Sequence, residues 1–232
     1  MCTIISVLPS NPEDSLMFLE NRDRPSEGFT GNSVVTLSEG RVIAIYDNRS
    51  RGIACGYSMD TGIYGGIANI LGHMGTSSRG ILLKNILTKM NDLDQAVKKL
   101  VNEIKKGLYS SAVYILGDQS RIARVESFNQ NVSVTFPEEM EVATNYFHYL
   151  KKGKRSGNSP QRERYVRNIL NTRSQVRLDD LFEIAKHHEK KKSVCKHGRT
   201  LSSLLFEIPN QGAPRFLYAE GRPCNGYVQY TP

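Results

Sequence analysis

Cys2 follows Met1 directly and begins an apolar run, Cys2–Leu8, whose composition predicts a β-strand ended by Pro9. A cysteine attacks an amide carbonyl as the thiolate, so it needs a base. If Met1 is removed, as a small second residue permits, the α-amine of Cys2 supplies one, since its unperturbed pKa is about 7.7–8.0. The position therefore predicts a nucleophile and its base on one residue. A plain buried cysteine is the alternative.

A carboxylate near the end of the second predicted strand, Ser15–Glu20, extends this chemistry. Asn21 and Asp23 stand two residues apart there, and strand alternation puts both on one side of the sheet. Asp23 is suited to hold the ammonium form of the Cys2 amine. An ion pair with a neighbouring arginine is the alternative role for Asp23.

Two asparagines are candidates for stabilising an oxyanion. Asn145 ends the predicted strand EVATNY, and Asn69 lies in the glycine-rich segment 52–71, which predicts a hairpin with close backbone approaches. Removing one such donor in a known oxyanion hole costs about 2.7–4 kcal/mol. The alternative for Asn145 is that it only closes a turn, and the alternative for Asn69 is that it only lies in a plain hairpin.

Cys195 and His197 form a C-x-H pair, and His187 and His188 precede it. This spacing allows a zinc interpretation, but no dedicated fourth ligand is evident. Cys224, in GRPCNG, is interpreted as packing under a turn. The four Cys include no CxxC pair and suggest no disulfide framework. We therefore expect no metal and no cofactor.

Composition and charge narrow the class of protein. The 232 residues are 39% hydrophobic and 23% charged, with no linker-like segment, which predicts one domain over 1–232. The net charge of +8 is concentrated in KKGKR at 151–155 and HHEKKK at 187–192, and no nucleic-acid-binding motif accompanies it. The apolar runs are strand-sized, so no membrane span is expected. Without a secretory leader, a cytoplasmic location with reduced thiols is expected.

The predicted elements must bring these residues together. Strands fill the first third, helices follow at Ser78–Met90 and behind an Asp92 cap, and four strands come next. Ser159 as cap and Pro160 at the first helical position open a third helix, and Leu178–His188 forms a fourth. A strand pair, TLSSLLFEIP and RFLYAEGRP, ends the chain. These segregated blocks predict an α+β fold with two mostly antiparallel sheets in a four-layer αββα sandwich.

The segments MC, NRD, TN, CKH, TLSS and GRPC, in this order, resemble the N-terminal nucleophile hydrolases. The resemblance is to the branch of isopenicillin N (6-aminopenicillanic acid) acyltransferases and choloylglycine hydrolases, which include bile-salt hydrolases and penicillin V acylases. It covers nearly the whole chain. It implies the same αββα fold and a cysteine amidohydrolase or acyltransferase that acts on linear C–N amides.

The resemblance also implies roles for individual residues. Cys2 falls on the nucleophile, Asp23 on the aspartate that steadies the amine, and Asn69 and Asn145 on the oxyanion-hole residues. Arg164, in ERYVRN, resembles the arginine beside the nucleophile, with Arg162 and Arg167 as close rivals. The family commonly carries an arginine just before its aspartate motif, where this chain has Glu20, so that role is either retuned or moved to Arg22.

The resemblance implies a small acyl amide or acyl thioester as substrate. It leaves open whether the reaction is hydrolysis or acyl transfer, and whether the chain forms a homo-oligomer.

A second resemblance, to a different family, implies a different function. NRDR at 21–24 and SRG at 78–80 are similar to a family that opens MC and carries an NRDE signature, whose members are linked to Golgi organisation or haem handling. On that reading, the chain is a binding module on the same scaffold.

Overall fold

A computed structural model gives the fold. It describes residues 2–11, 13–23, 32–37, 41–47, 51–70, 74–150, 157–189, 192–197 and 199–231. The strands of this part are β1 (Cys2–Val7), β2 (Ser15–Asp23), β3 (Asn32–Leu37), β4 (Val42–Asp47), β5 (Gly52–Ser58), β6 (Tyr64–Asn69), β7 (Ala112–Gly117), β8 (Ile122–Phe128), β9 (Asn131–Thr135), β10 (Met140–Ala143), β11 (Thr200–Pro209), β12 (Arg215–Glu220) and β13 (Val228–Tyr230). The helices are α1 (Arg79–Lys89), α2 (Leu93–Ile104), α3 (Ser159–Asn171) and α4 (Leu178–Lys186), with a short 3₁₀ helix at Pro223–Asn225.

The described strands form two antiparallel sheets. The first sheet has the order β10-β1-β2-β11-β12-β13, and the second has the order β3-β4-β5-β6-β7-β8-β9. In the first sheet Cys2 lies opposite Arg22, and Ile4 lies opposite Ala143 of β10. Continuing the β1–β10 register by two residues brings Asn145 opposite Cys2. β1 is therefore an inner strand whose first residue meets a candidate partner on the neighbouring strand.

Three apolar cores separate four layers. The central core lies between the sheets and includes Phe18 and Phe206 of the first sheet and Tyr64 of the second. A second core joins the outer face of the second sheet to α1 and α2, and a third joins the outer face of the first sheet to α3 and α4. The predicted α+β fold of two antiparallel sheets and two helix pairs is confirmed.

Local capping explains where the first two helices begin. The Ser78 hydroxyl accepts the backbone N–H of Ile81 at 3.3 Å, and the Asp92 carboxylate accepts that of Gln95 at 2.8 Å. The sequence predicts Asp92 as a cap, and it predicts the start of α1 to within one residue. Helix α1 then packs against β5 at two glycines. A Cβ on Gly52 would lie 2.4 Å from the backbone carbon of Gly80, so any larger residue would push the helix off the sheet.

The other helix boundaries differ from prediction. The cap of α3 is Asn158 rather than Ser159, and its side chain makes no capping hydrogen bond. Helix α4 is capped by Arg177, whose N–H donates to Asp180 at 2.9 Å, and it ends at Lys186. β13 and the 3₁₀ helix are absent from the sequence prediction. The basic run 151–155 lies outside the described residues. In the described part of the chain, no helix is both long and apolar enough to cross a membrane.

Candidate active site

Cys2 is buried at the start of β1, with 2% of its surface exposed. Its backbone nitrogen donates a hydrogen bond of 2.6 Å to Oδ1 of Asn145. Met1 lies outside the described residues. The atom that becomes an α-amine on removal of Met1 therefore lies against Asn145, whereas the sequence-based expectation gave this contact to Asp23.

The contacts of Asn145 fix the orientation of its amide. Its Nδ2 donates to the backbone oxygen of Asn69 at 2.7 Å, an atom that can only accept. Its Oδ1 accepts from Cys2 and also from Nη2 of Arg162 at 3.2 Å. A flipped amide would break all three contacts. The second hydrogen of Nδ2 has no acceptor in the described part of the chain, so Asn145 still has one donor to offer.

Arg162, one of the two rivals, is the arginine that contacts Cys2, and the expectation that Arg164 lies there is wrong. Nη2 of Arg162 donates to the backbone oxygen of Cys2 at 3.0 Å, and the side chain is fully buried. Arg164 lies on the exposed face of α3. Arg162 shares the buried face with Val166 and Leu170 at intervals of four residues, and this helical spacing was the signal that distinguishes it from its rival.

Asn21 and Asp23 point to the same side of the first sheet, as alternation predicts. Asn21 donates to the backbone oxygen of Ala185 at 3.0 Å. Asp23 accepts from the Thr200 hydroxyl at 2.8 Å and lies 3.0 Å from Nζ of Lys196. This is the face toward α3 and α4, whereas the Cys2 side chain belongs to the core between the sheets.

Asp23 is thus connected to the site through charge. Burial lowers the pKa of Arg162, and the negative charge of Asp23 is the largest effect that opposes this. Burial also lowers the pKa of Lys196, the Arg162 charge lowers it further, and Asp23 opposes both. Lys196 was missed from the sequence because it lies 173 positions beyond Asp23 in a loop rich in lysine. Arg22, the rival partner of Asp23, pairs instead with Asp47 at 2.7 Å.

Asn69 contacts Asn145 and also lines a cavity next to the site. Its backbone oxygen anchors Asn145, and its side chain lines a cavity of about 170 Å³ at the end of the second sheet. Arg22, Asp47 and Arg79 line the same cavity, together with Ile53, Ile67, Ser77, Ser78 and Gly80. Cavities of about 220 and 400 Å³ lie at the opposite end of β1, beside Met17 and Gln175. The smallest of the three cavities, of about 170 Å³, is the one at the Cys2 end of β1.

Glu20 stands directly before Asn21 and Asp23, on the opposite face of β2. It is completely buried between the sheets, and neither carboxyl oxygen has a well-oriented partner in the described part of the chain. Burial raises its pKa well above the usual value, negative charge at Cys2 raises it further, and Arg22 opposes the shift. Gly66 makes room for it, since a Cβ there would lie 2.4 Å from Glu20 Oε2. Burial therefore favours the protonated form of the Glu20 carboxyl.

A buried ionic network holds the segment that carries Asn145. The Glu126 carboxylate accepts the backbone N–H groups of His148, Tyr149 and Leu150 at 2.6, 2.9 and 2.9 Å. Arg124 donates to Glu126 at 2.9 Å and to Glu141 at 2.8 Å. The loop that follows β10 is therefore fixed by charged groups on β8.

The residues that could hold a metal are separate from this site. Among the described residues, His188, Cys195, His197 and Cys224 place one ligand atom each within 4.8 Å of one another. The sequence interpretation left Cys224 out and included His187, whose ring instead packs on Tyr165 with centroids 4.1 Å apart. Cys224 does not simply pack under a turn, because it faces the other three side chains.

No family model matches the chain, and no curated protein matches it. A crystal structure of protein SPO2555 from Silicibacter pomeroyi, of the family DUF1028, is similar over 97% of this chain and 81% of that chain. The two share 11% sequence identity, with a TM-score of 0.47.

Proposed function

We propose that this chain, after loss of Met1, is a cysteine amidohydrolase or acyltransferase that acts on linear C–N amides through an acyl-enzyme on Cys2. The observation that carries the proposal is the set of contacts around the Cys2 nitrogen. Asn145 accepts from it at 2.6 Å, and Arg162 binds both Asn145 and the Cys2 carbonyl. The αββα layers and the place of Cys2 at the head of an inner strand support the resemblance to N-terminal nucleophile hydrolases.

The proposed reaction uses the residue's own amine. The α-amine takes the thiol proton, and the sulfur attacks the amide carbon to form a C–S bond and an oxyanion. The free N–H of Asn145 and the side chain of Asn69 are the candidate donors to that oxyanion. Collapse breaks the C–N bond, and the leaving amine takes the proton from the ammonium group. Water or an acceptor amine then cleaves the thioester.

The cavity supports a substrate with an anionic group. Arg79 is mostly buried in its wall, donates to the backbone oxygen of Ser111 at 2.6 Å, and has Arg22 as a neighbouring positive charge. Asp47 neutralises Arg22, which leaves one net positive charge among these three groups. We therefore favour acyl amides whose acyl or amine portion carries a carboxylate, such as N-acyl amino acids.

The test replaces Cys2 by serine, which still permits removal of Met1 and changes side-chain volume little. Wild type and Cys2→Ser are assayed on N-acyl amino acids, phenoxyacetyl amides and conjugated bile salts, reading released amine and transfer to hydroxylamine. We expect Cys2→Ser to lose several orders of magnitude in turnover, because nucleophile and base act as a unit. Cys55→Ser is the matched control, since it makes the same change at a buried thiol.

Mass spectrometry completes the test. Intact mass of active wild type is expected to lack Met1, and a rapid-quench sample is expected to carry the acyl group on the Cys2 peptide. Full retention of Met1 in active protein, or equal activity of wild type and Cys2→Ser, would overturn the proposal. The second result would favour the non-catalytic NRDE-type scaffold.

A further inference from the structure

Four metal-binding side chains from three segments meet beside the first sheet. His188 follows α4, Cys195 and His197 lie in the turn before β11, and Cys224 lies in the 3₁₀ helix after β12. The whole chain contains five His and four Cys, so nearly half of these residues meet in one place. Cys195 is fully buried, whereas His188 and His197 are exposed, so the cluster is not explained as part of an apolar core.

Two distances between ligand atoms fall in the range of tetrahedral coordination, and all four atoms lie within 4.8 Å of one another. The sulfurs of Cys195 and Cys224 lie 3.7 Å apart, and the Cys224 sulfur lies 3.3 Å from Nε2 of His197. A tetrahedral Zn²⁺, with Zn–S bonds of about 2.3 Å and Zn–N bonds of about 2.0–2.1 Å, places its ligand atoms about 3.3–3.8 Å apart. A disulfide would need an S–S distance of about 2.05 Å. The 3.7 Å separation is too long for a disulfide and fits two sulfurs on a common ion.

We propose that His188, Cys195, His197 and Cys224 bind a structural Zn²⁺ ion. Four protein ligands leave no open position for water or substrate, which is the pattern of a structural rather than a catalytic site. The two imidazoles bind in their neutral form, and the two thiols bind as thiolates, so that their protons pass to solvent. The ion joins the end of α4, the start of β11 and the segment after β12.

The ion also stabilises the turn that faces Asp23. Lys196 lies between two of the ligands, and its Nζ is 3.0 Å from the Asp23 carboxylate. The backbone N–H of Lys196 donates to the Thr200 hydroxyl at 2.8 Å, and that hydroxyl donates to Asp23 at 2.8 Å. Metal binding thus fixes two groups that contact Asp23, from the side opposite Cys2.

Cobalt provides the direct test, because tetrahedral Co²⁺ has intense visible bands and its sulfur-to-metal charge transfer reports thiolate ligands. Full-length reduced protein, stripped of metal and freed of chelator, is titrated with Co²⁺ and then with Zn²⁺. We expect one Co²⁺ per chain with a two-thiolate spectrum, and stoichiometric displacement by Zn²⁺. Binding is expected to be unchanged in Cys2→Ser, so this result is independent of the proposed catalysis.

Variants assign the ligands. Cys224→Ser and His188→Gln are expected to weaken binding by more than the roughly 10–100-fold that loss of an outer-shell partner costs. His187→Gln is the matched control, since His187 adjoins a ligand but faces Tyr165. His188 is exposed, so its variant keeps the test valid even if Cys224→Ser does not fold. No tetrahedral spectrum in reduced wild type, or equal binding by His188→Gln and His187→Gln, would overturn the proposal.

Discussion

Arg162 shows how one buried side chain connects the parts of the site. Its guanidinium binds the Cys2 carbonyl and the acceptor atom of Asn145, so it sets the position of both. A positive charge at this place also disfavours protonation of a nearby amine, because like charges repel. In the proposed reaction, Arg162 is therefore a positioning residue that helps keep the Cys2 amine available as a base.

Replacement of Arg162 by glutamine tests this role. We expect kcat/KM to fall by about 10²-fold, the size of effect that a displacement of about 1 Å produces. The acid limb of the rate–pH profile is expected to move to higher pH, because the amine then holds its proton more strongly. Arg164→Gln is the control on the exposed face of the same helix. Equal profiles for the two variants would contradict the role given to Arg162.

Glu20 has a consequence for stability that depends on pH. Its pKa is raised above the usual 4.5 by burial, so above that pH the folded chain keeps a proton that the unfolded chain has lost. The free energy of unfolding therefore falls as pH rises from about 4.5 toward the folded-state pKa. Each unit of the difference corresponds to about 1.4 kcal/mol.

Glu20→Gln removes this titration. We expect the variant to be more stable than wild type at pH 8 and to differ much less at pH 4, as measured by urea denaturation across the pH range. Glu138→Gln, on an exposed residue, is expected to leave the pH dependence unchanged. A wild-type stability that does not fall between pH 5 and pH 8 relative to Glu20→Gln would contradict the burial of a protonated carboxyl.

At the scale of elements, the loop after β10 depends on one carboxylate of β8. Glu126 accepts three consecutive backbone N–H groups and the Arg124 guanidinium. An amide in its place turns one acceptor oxygen into a donor that faces other donors. Asn145 lies in this loop, two residues after β10 ends at Ala143, so loss of these bonds loosens the partner of the Cys2 nitrogen.

Glu126→Gln is therefore expected to lower the free energy of unfolding by about 1.5–3 kcal/mol, the contribution of hydrogen bonds to a charged group. It is also expected to reduce kcat at temperatures where the chain is fully folded, since Asn145 is less well held. Denaturation and steady-state kinetics on the same preparation separate the two effects. An activity loss that only tracks the unfolded fraction would show that the loop is not coupled to the site.

The helix starts and the strand pairing show how much of the structure the sequence could predict. The starts of α1 and α2 were predicted correctly because Ser78 and Asp92 cap them through contacts three residues away. Asn158 could not be identified as the cap of α3, because its side chain makes no capping bond. Asn145 meets Cys2 across 143 residues, through sheet register that no local pattern encodes. The resemblance supplied this pairing, and it left the arginine ambiguous among close neighbours.

At the scale of the whole molecule, stability depends on the core between the sheets. Phe206 stacks on Phe18 with centroids 4.7 Å apart, and Tyr57 and Tyr64 of the second sheet approach Phe206 at 5.6 and 5.9 Å. All four side chains belong to one buried cluster. The face of the first sheet that carries Cys2 is therefore held against the second sheet by aromatic packing.

Phe206→Ala is expected to lower the free energy of unfolding by about 3–5 kcal/mol, because Phe206 is fully buried and the surrounding rings cannot fill the space it leaves. Phe136→Ala makes the same change at a side chain that is 52% exposed, and we expect it to change stability by less than about 0.5 kcal/mol. Since Phe206 contacts both sheets, amide hydrogen exchange in Phe206→Ala should accelerate in β6 and β7 as well as in β1 and β2. Acceleration confined to the first sheet would mean that the two sheets open independently, and the aromatic cluster would then not be what makes the sandwich a single cooperative unit.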